Sequence, residues 1–454
     1  MKVAVVGCGL VGSMLSCYLA KKGYDVEVFE RRPDMRLGKM EGGRSINLAL
    51  SVRGWTALEK IGMKEKMNAI AIPMNGRQIH NLDGTKVFQP YGKEGEAIYS
   101  ISRGELNKIL LEEADKYDNI SMHFNQKCAE IDFKNNQLTF EHTETKEAKN
   151  HQFDLIFGTD GAFSEVRYGM QKTPFFNFSQ HYIEYGYKEL TIPPSANGEH
   201  KINKHALHIW PRKNFMLIAL PNLDGSFTVT LFAPFKGENS FEILNTDSEI
   251  IKYFETHFPS ALEQMDDVVS DYHQNPTSGL VTTRCNPWHY KNACLLGDAA
   301  HAVVPFYGQG MNAGFEDCRV LNDIIEELGT DNWEAIFEKY SSKRAPDGNA
   351  IADLALRNFV EMRDSTADPQ FLLKKQLEQF LMAQFPDKYL PQYSMVTFSN
   401  IRYSVALKKG DEQQTFLAEI IGKYPHPESW EKEEVLHLLK DFVEKVNIKN
   451  FELA

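Results

Sequence analysis

A glycine-rich turn near the start of the chain has the spacing of a dinucleotide-binding loop. Gly7, Gly9 and Gly12 form the pattern G-x-G-x-x-G between an apolar run and a helical pattern. Gly7 permits a tight turn, Gly9 lets a pyrophosphate approach the backbone, and Gly12 allows close helix packing. Glu30 lies 18 residues after Gly12, near the distance at which an acid accepts hydrogen bonds from a dinucleotide ribose. The pattern predicts a bound dinucleotide rather than a purely structural turn, without choosing between nicotinamide and flavin.

Two aspartates stand where predicted strands end. Asp160 follows the predicted strand 154–157, and Asp298 follows the predicted strand 293–296. The carboxyl ends of strands are where α/β sheets bind ligands. A single aspartate at such a turn is often structural, because its side chain hydrogen-bonds the nearby backbone. Two of them together favour a ligand site.

A second glycine pattern runs from Gly308 to Gly314, but its last spacing is one residue too long for another dinucleotide fold. We interpret it as a loop leading into a helix that begins at Asn312. The positive end of that helix would stabilise negative charge developing on a bound ring. Such a place suits a reduced flavin.

The elements that position these residues follow from the hydrophobic periodicity. A strand at Lys2–Val6, a helix at 13–22 and a strand at Asp25–Phe29 make a βαβ unit. This unit implies a parallel sheet with helices on its faces. Ser102 and Glu105 have the spacing of a capping box and predict the start of another helix.

The remainder of the chain changes from strands to helices. A period near two over 126–153 and 182–234 predicts antiparallel strands. Beyond Trp333 the pattern is almost wholly helical and is punctuated by four prolines. These are Pro346, Pro369, Pro386 and Pro391. The last apolar stripe, from Val435 to Val446, predicts an amphipathic helix that packs on its own domain.

Composition bounds the class of protein. A chain of 454 residues exceeds what one core usually organises, which predicts two or three domains. Its net charge of −12 disfavours nucleic acid as a partner. Six cysteines without a C-x-x-C pair favour a reducing compartment, and no apolar run approaches the ~20 residues of a transmembrane helix. We expect a soluble, cytoplasmic protein. Nothing in the sequence signals zinc or serine hydrolase chemistry.

Taken together, the glycine turn with Glu30 and the motifs at Asp160 and Asp298 resemble the three fingerprints of the single-component flavoprotein aromatic hydroxylases. The segments 43–50, 98–107 and 305–317 narrow this resemblance to the kynurenine 3-monooxygenase family, and 358–363 and 395–398 add to it. The resemblance extends from Met1 to about Tyr403 and is weakest over the last fifty residues.

The resemblance implies an α/β fold with three parts. A FAD-binding, Rossmann-like domain of the glutathione-reductase type is expected at 1–75, 97–175 and 275–325. An antiparallel β-sheet domain that binds substrate is expected at 76–96 and 176–274, and a helical C-terminal region at 326–454. The implied activity is NADPH- and FAD-dependent hydroxylation of L-kynurenine to 3-hydroxy-L-kynurenine by O2 through a flavin hydroperoxide. No side chain is expected to act as an acid or base, because the flavin does the chemistry, and no metal is expected.

The resemblance also implies site residues. The cofactor set is Gly7, Gly9, Gly12, Glu30, Arg103, Asp160, Asp298, Gly310, Met311 and Asn312. The substrate set is Arg77, Tyr91, Phe232, Phe306, Asn358, Met362 and Tyr393. In the substrate set, Arg77 offers a bidentate fork for an amino-acid carboxylate, while Phe232, Phe306 and Met362 wall the ring. His301 is expected to be structural.

Two alternatives stay open from the sequence. A hydroxylase of another aromatic acid would keep the FAD residues but not the polar substrate set. A flavin-binding reductase or sensor without oxygenase activity would bind FAD and show no turnover.

Overall fold

The fold was obtained as a computed structural model that describes residues 1–38, 47–93, 95–362 and 369–454. Residues 43–46 of the 43–50 motif and Arg363 of the 358–363 motif lie outside the described residues. No helix within the described ranges combines the length and the apolar character that crossing a lipid bilayer requires.

Nineteen strands occur in the described ranges, and they assemble into four sheets. In chain order they are β1 Lys2–Val6, β2 Asp25–Phe29, β3 Asn47–Leu50, β4 Ile72–Met74, β5 Gly76–His80, β6 Lys86–Pro90, β7 Ile98–Ser102, β8 Ile120–His123, β9 Gln126–Asp132, β10 Gln137–His142, β11 Ala148–Gln152, β12 Leu155–Gly158, β13 Asn177–Ile192, β14 Ala206–Pro211, β15 Met216–Pro221, β16 Phe227–Pro234, β17 Ser278–Asn286, β18 His289–Tyr290 and β19 Ala293–Leu295.

Fifteen α-helices occur in the same ranges. In chain order they are α1 Leu10–Lys21, α2 Val52–Lys60, α3 Lys64–Asn68, α4 Arg103–Ala114, α5 Glu165–Met170, α6 Asp247–His257, α7 Pro259–Leu262, α8 Val268–Gln274, α9 Asp298–His301, α10 Gly310–Leu328, α11 Trp333–Val360, α12 Pro369–Gln384, α13 Gln392–Thr397, α14 Tyr403–Lys423 and α15 Glu433–Lys445.

The predicted βαβ unit is confirmed and lies at the centre of a six-stranded sheet ordered β18-β19-β12-β1-β2-β8. β1 pairs in parallel with both β2 and β12. Residues 3–6 of β1 are fully buried, as expected for a parallel strand covered by helices on both faces. This places the ends of β1, β2, β12 and β19, with their glycine and aspartate turns, at one edge of the sheet.

A seven-stranded sheet, ordered β17-β13-β16-β15-β14-β5-β6, forms the second layer. Its neighbouring strands are antiparallel with one exception, because β5 and β14 run parallel. One face packs under α6, α7 and α8 around Trp210, Leu217 and Phe254. The other face turns toward the glycine-rich turns of the first sheet.

The predicted substrate-domain boundary differs from this sheet at one strand. β17 falls in the range 275–325 that was predicted for the FAD domain, but it pairs with β13 along the edge of the seven-stranded sheet. The reason is the length of β13, whose 16 residues extend beyond β16 and offer a long edge for pairing. Sequence periodicity does not show which sheet a strand joins.

The C-terminal region is helical, as predicted, but one of the four prolines does not interrupt it. Pro346 lies inside α11, although proline removes a helical N–H and usually breaks a helix. Its neighbours Arg344 and Asp347 are both fully buried in ion pairs, and these tertiary contacts hold the helix together. Pro369, Pro386 and Pro391 do lie at helix ends.

The predicted amphipathic helix at the C-terminus is α15, and its apolar stripe packs on its own region. Val435, Leu439 and Val443 are buried against Leu417 of α14 and Leu381 of α12. This packing confirms the expected structural role of the stripe.

The predicted start of α4 is confirmed at Ser102, whose hydroxyl accepts a hydrogen bond from the backbone N–H of Glu105 at 3.3 Å. We expect Ser102→Ala to lower the free energy of unfolding by about 1 kcal/mol, because the helix loses its N-terminal cap. Urea titration measures this change. Ser102→Asp keeps a hydrogen-bond acceptor and should retain most of the stability. If both variants lose the same free energy of unfolding, the loss does not come from the cap.

Candidate active site

One cavity of about 560 Å³ lies between the strand ends of the six-stranded sheet and the inner face of the seven-stranded sheet. It runs from the glycine turn after β1 to Arg77 on β5. Thirteen of the predicted site residues line it: Gly7, Gly9, Glu30, Arg77, Arg103, Asp160, Phe232, Asp298, Phe306, Gly310, Met311, Met362 and Tyr393. The two predicted sets therefore face one continuous space.

Four predicted site residues lie behind the cavity wall instead of lining it. Gly12 packs against the turn, where an added Cβ would come within 1.9 Å of the Gly7 carbonyl oxygen. The Asn312 amide donates to the carbonyls of Ala49 and Gly308. Tyr91 and Asn358, which are 5% exposed, support wall residues, and the Asn358 amide donates to the Phe306 carbonyl at 2.6 Å.

The turn that holds Gly7 and Gly9 leaves room for a ligand. Gly7 has a φ of +100°, and a Cβ there would meet the Thr159 carbonyl oxygen at 2.7 Å, so only glycine fits. A Cβ at Gly9 would have no protein atom within 4 Å. Gly9 also caps α1 without a side-chain bond, and no acidic residue lies in the first turn. The free N–H groups of that turn suit an anion such as a pyrophosphate.

Glu30 directly follows β2 and is an anionic acceptor facing the cavity. Its carboxylate accepts hydrogen bonds from the Cys8 N–H at 2.9 Å and from the Arg32 N–H and Nε at 3.0 and 2.8 Å. Burial works to raise the pKa of the Glu30 carboxyl, but the hydrogen bond and charge of Arg32 hold the pKa below its usual range. An ionised carboxylate can accept about four hydrogen bonds, so capacity remains for a ribose hydroxyl.

The two carboxylate oxygens of Asp160 have different surroundings: one caps a helix and the other faces no donor among the described residues. Its Oδ2 accepts hydrogen bonds from the N–H groups of Glu165 and Val166 at 2.7 and 3.3 Å, which caps α5. Its Oδ1 is buried and has no partner among the described residues. Burial raises the pKa of the Asp160 carboxyl. A bound ligand would therefore supply the hydrogen-bond donor that Asp160 Oδ1 lacks.

Asp298 begins α9 and is exposed to the cavity. The preceding residue, Gly297, has a φ of +60°, and its N–H donates to Asp317 Oδ2 at 2.9 Å. His301 lies in the core, stacked on Trp288 at 4.8 Å between ring centroids and hydrogen-bonded to Asp317 at 2.5 Å. His301 does not line the cavity, which agrees with the structural role expected for it.

The loop after Phe306 feeds α10, which begins at Gly310, two residues earlier than predicted. Gly308, Gly310 and Met311 line the cavity. The first turn of α10 contains no acidic residue. Its partial positive charge is therefore available to a ligand lying against this loop.

The opposite end of the cavity holds Arg77 among aromatic side chains. The Arg77 guanidinium carbon lies 4.7 Å from the Tyr393 ring centroid and 5.7 Å from that of Tyr91. Burial works to lower the pKa of Arg77, but Tyr393, Tyr91 and the Glu361 carboxylate outweigh it and raise the pKa above its ordinary value. Arg77 Nε is buried without a partner among the described residues. Arg77 is therefore a charged donor with unused hydrogen-bonding capacity.

Apolar side chains line the same cavity as Arg77. The Phe232 and Phe306 ring centroids lie 5.0 Å apart, and Phe306 stacks on Phe359 at 4.1 Å. Met362 packs in the same cluster. These walls suit an aromatic ring, and Arg77 adds a positive charge to the same cavity.

Sequence reasoning missed the floor of the cavity. Alternate residues of two strands of the seven-stranded sheet line it, namely Met216, Ile218 and Leu220 from β15 and Thr228 and Thr230 from β16. The spacing of two along each strand was visible in the sequence. Which of the two faces turns toward a ligand was not, because both faces of β16 are buried.

The chain is similar to a FAD-binding family and to several kynurenine 3-monooxygenases. Residues 1–355 match the family model described as FAD binding domain. The kynurenine 3-monooxygenase of Christiangramia forsetii is 49% identical over 98% of this chain and 99% of the relative. That of Flavobacterium johnsoniae is 47% identical over 98% and 99%, and that of Sus scrofa is 42% identical over 91% and 87%.

Solved structures share the fold at low sequence identity. 2-Methyl-3-hydroxypyridine-5-carboxylic acid oxygenase superposes with a TM-score of 0.65 at 18% identity, over 82% of this chain and 95% of that chain. A probable FAD-dependent monooxygenase from Pseudomonas aeruginosa, PqsL, gives a TM-score of 0.63 at 18% identity, over 80% and 97%. These likenesses support the fold of the FAD-dependent hydroxylases.

Proposed function

The chain belongs to the kynurenine 3-monooxygenase family of proteins with a FAD-binding domain, and from this premise we propose that it hydroxylates L-kynurenine to 3-hydroxy-L-kynurenine, using FAD, NADPH and O2. The observation that carries the proposal is the continuous cavity, which has a dinucleotide turn at one end and a charged arginine at the other. One ligand set thus explains both ends of the same space.

The residues at the first end fit FAD. The open space beside Gly9 and the free N–H groups of the first turn of α1 would bind the pyrophosphate. Glu30 would accept a hydrogen bond from a ribose hydroxyl. The unpartnered Asp160 Oδ1 suits a hydroxyl donor, and Arg103 and Asp298 line the stretch between. The chemistry that FAD supplies when bound is acceptance of hydride from NADPH and transfer of one oxygen atom of O2 to an aromatic ring.

The residues at the other end fit an aromatic amino acid. Arg77 would bind the carboxylate with two parallel hydrogen bonds, and its guanidinium carbon lies 4.7 Å from the Tyr393 ring centroid. Phe232, Phe306 and Met362 would enclose the ring. Tyr91 and Asn358 lie behind these residues, so we assign them to supporting Arg77 and Phe306 rather than to touching the substrate.

Exclusion of water is the second task of the protein. Oxygen chemistry at a bound flavin would require a site closed to water, and closed aromatic walls would provide one. The apolar cluster around Phe306 and the loop 308–310 lie where such a closure is needed. NADPH and O2 are part of the proposal because the chemistry consumes both.

We also propose a cytoplasmic location. The support is the state of the six cysteines, all of which are free and buried, as expected for a protein of a reducing compartment.

The proposal is tested by turnover of the purified, FAD-loaded protein. With NADPH and air, we expect L-kynurenine to gain one oxygen atom by mass spectrometry, in proportion to NADPH consumed, and the product to coelute with 3-hydroxykynurenine. Anthranilate, an aromatic amine without the amino-acid side chain, is the matched control and should give little product. A protein that binds FAD but leaves kynurenine unchanged would overturn the proposal; product from another aromatic acid in a substrate panel would redirect it.

A further inference from the structure

The loop at the flavin end of the cavity is tied to the rest of the protein through Gln309. Its neighbours Gly308 and Gly310 line the cavity, whereas Gln309 is 2% exposed and its side chain points into the protein. Gln309 Oε1 accepts a hydrogen bond from the Tyr403 hydroxyl at 2.8 Å. Its other polar contact in the described structure, to the Ser51 hydroxyl, is long at 3.4 Å. Tyr403 is therefore the strong partner of this side chain.

Tyr403 is well suited to hold its hydroxyl in one place. It is fully buried at the start of α14, and its ring lies under the Arg53 guanidinium at 3.8 Å. The flanking residues Arg402 and Ser404 both bind the buried Asp347 carboxylate. Burial raises the pKa of the Tyr403 phenol, so the group stays protonated and donates.

Arg53 extends this anchor to the core. Its Nη1 donates to Glu316 at 2.6 Å, and its Nε and Nη2 donate to backbone carbonyls of Val396, Met395 and Ile401. Glu316 in turn accepts from Arg344, which also pairs with Asp317. The charged side chains of this network, Arg53, Glu316, Arg344 and Asp317, are all buried and paired. This pairing makes the anchor rigid.

Asn312 provides a separate tie for the same loop. Its side chain bonds Ser51 N–H and the carbonyls of Ala49 and Gly308, all within the matched FAD-binding residues 1–355. Tyr403 lies outside that match. The contact between Tyr403 and Gln309 is therefore a route by which the C-terminal region acts on the flavin end of the cavity.

We propose that Tyr403 is a positioning residue: through Gln309 it holds the loop 308–310 closed against the cavity, so that the C-terminal region helps keep water from the reacting flavin. The effect on turnover rests on the proposed function. The effect on the loop does not, and the experiment measures the two separately.

Tyr403→Phe removes one hydroxyl and keeps the ring under Arg53. In the FAD-loaded protein, we expect amide hydrogen exchange of the peptide 305–314 to become about two- to ten-fold faster, the range expected for losing one buried hydrogen bond. The Gly308 N–H, which donates to the Pro305 carbonyl, is the reporter within it. The product formed per NADPH should fall by a similar factor, with peroxide making up the difference, while the dissociation constant of kynurenine changes less than two-fold.

Tyr18→Phe is the matched control. Tyr18 is 4% exposed, and its hydroxyl donates to the Ala57 carbonyl at 2.7 Å, so the variant loses a buried tyrosine hydrogen bond that involves no residue of the loop. It should keep wild-type exchange over 305–314 and wild-type coupling. Equal loop exchange in Tyr403→Phe and Tyr18→Phe would overturn the proposal, whatever the turnover.

A double-mutant cycle isolates the contact. Gln309→Met removes the acceptor and should reproduce the loop exchange of Tyr403→Phe, and the double variant should show no additional increase. Gln309→Met also tests the contact if Tyr403→Phe does not fold. Additive increases would mean that Tyr403 acts by another route and would overturn the proposal. Wild-type protein that gives no hydroxylated product would refute the proposed function, while the exchange data would still decide the role of Tyr403.

Discussion

Gly9→Val is expected to give a folded protein that no longer binds FAD. The backbone at Gly9 has φ −77° and ψ −172°, an extended conformation that any residue adopts. Since a Cβ there meets no protein atom within 4 Å, the valine side chain would enter the space left for the pyrophosphate. We expect FAD affinity to fall by more than about a hundred-fold. The cost to the fold is confined to a poorer N-cap, about 1 kcal/mol or less.

The visible spectrum and the FAD released on denaturation measure this result, and thermal unfolding without added FAD reports the fold. Gly9→Ala, with a smaller side chain, should lose less FAD. Gly12→Ala is the opposite case, because its Cβ would come within 1.9 Å of the Gly7 carbonyl oxygen and should damage folding itself. A yellow Gly9→Val protein with full FAD content would show that the pyrophosphate binds elsewhere.

The contrast between Gly9 and Gly12 shows which parts of the site can be predicted from sequence. The glycine turn, Glu30 and the two aspartate turns are set by short segments whose spacing encodes their geometry, so the motifs found them. Each follows a parallel strand of the six-stranded sheet, which is where the βαβ topology must place it. Local pattern and topology agree here.

Other features depend on contacts distant in sequence. Pro346 was expected to interrupt α11, but the ion pairs of Arg344 and Asp347 with Glu316, Asp317 and Arg402 keep the helix continuous. Likewise, β5 pairs in parallel with β14, more than a hundred residues away in sequence, and periodicity does not encode such a pairing. Tertiary structure decides both cases.

At the substrate end of the cavity, some features follow from sequence motifs and others depend on contacts distant in sequence. The resemblance singled out Arg77, Tyr91, Asn358 and Tyr393 together, yet Arg77 and Tyr393 face the cavity while Tyr91 and Asn358 stand behind it. A sequence motif identifies residues that act together, but it does not separate a residue that contacts a ligand from one that holds the contact in place. Tyr403 illustrates the same limit, since its partner Gln309 is known only from the fold.

Arg77→Ala is expected to weaken kynurenine binding roughly ten- to a hundred-fold while FAD stays bound. The substitution removes a charge-assisted contact to the carboxylate, worth about 1.5–3 kcal/mol. Arg77 is positively charged, as arginine is in proteins, and its Nε has no partner in the described structure. Arg77→Lys should recover only part of the affinity, since an ammonium cannot make two parallel hydrogen bonds.

Titration of kynurenine into FAD-replete wild type and Arg77→Ala measures the loss, with flavin content as the control for the fold. The decarboxylated analogue of kynurenine provides a matched test on the ligand side. If Arg77 binds the carboxylate, this analogue should bind both proteins with similar, weak affinity, because the group that Arg77 recognises is absent. If kynurenine binds wild type and Arg77→Ala equally, its carboxylate is held by another residue. If the analogue also discriminates between them, Arg77 acts on the shape of the cavity through its stacking on Tyr393 rather than on the carboxylate.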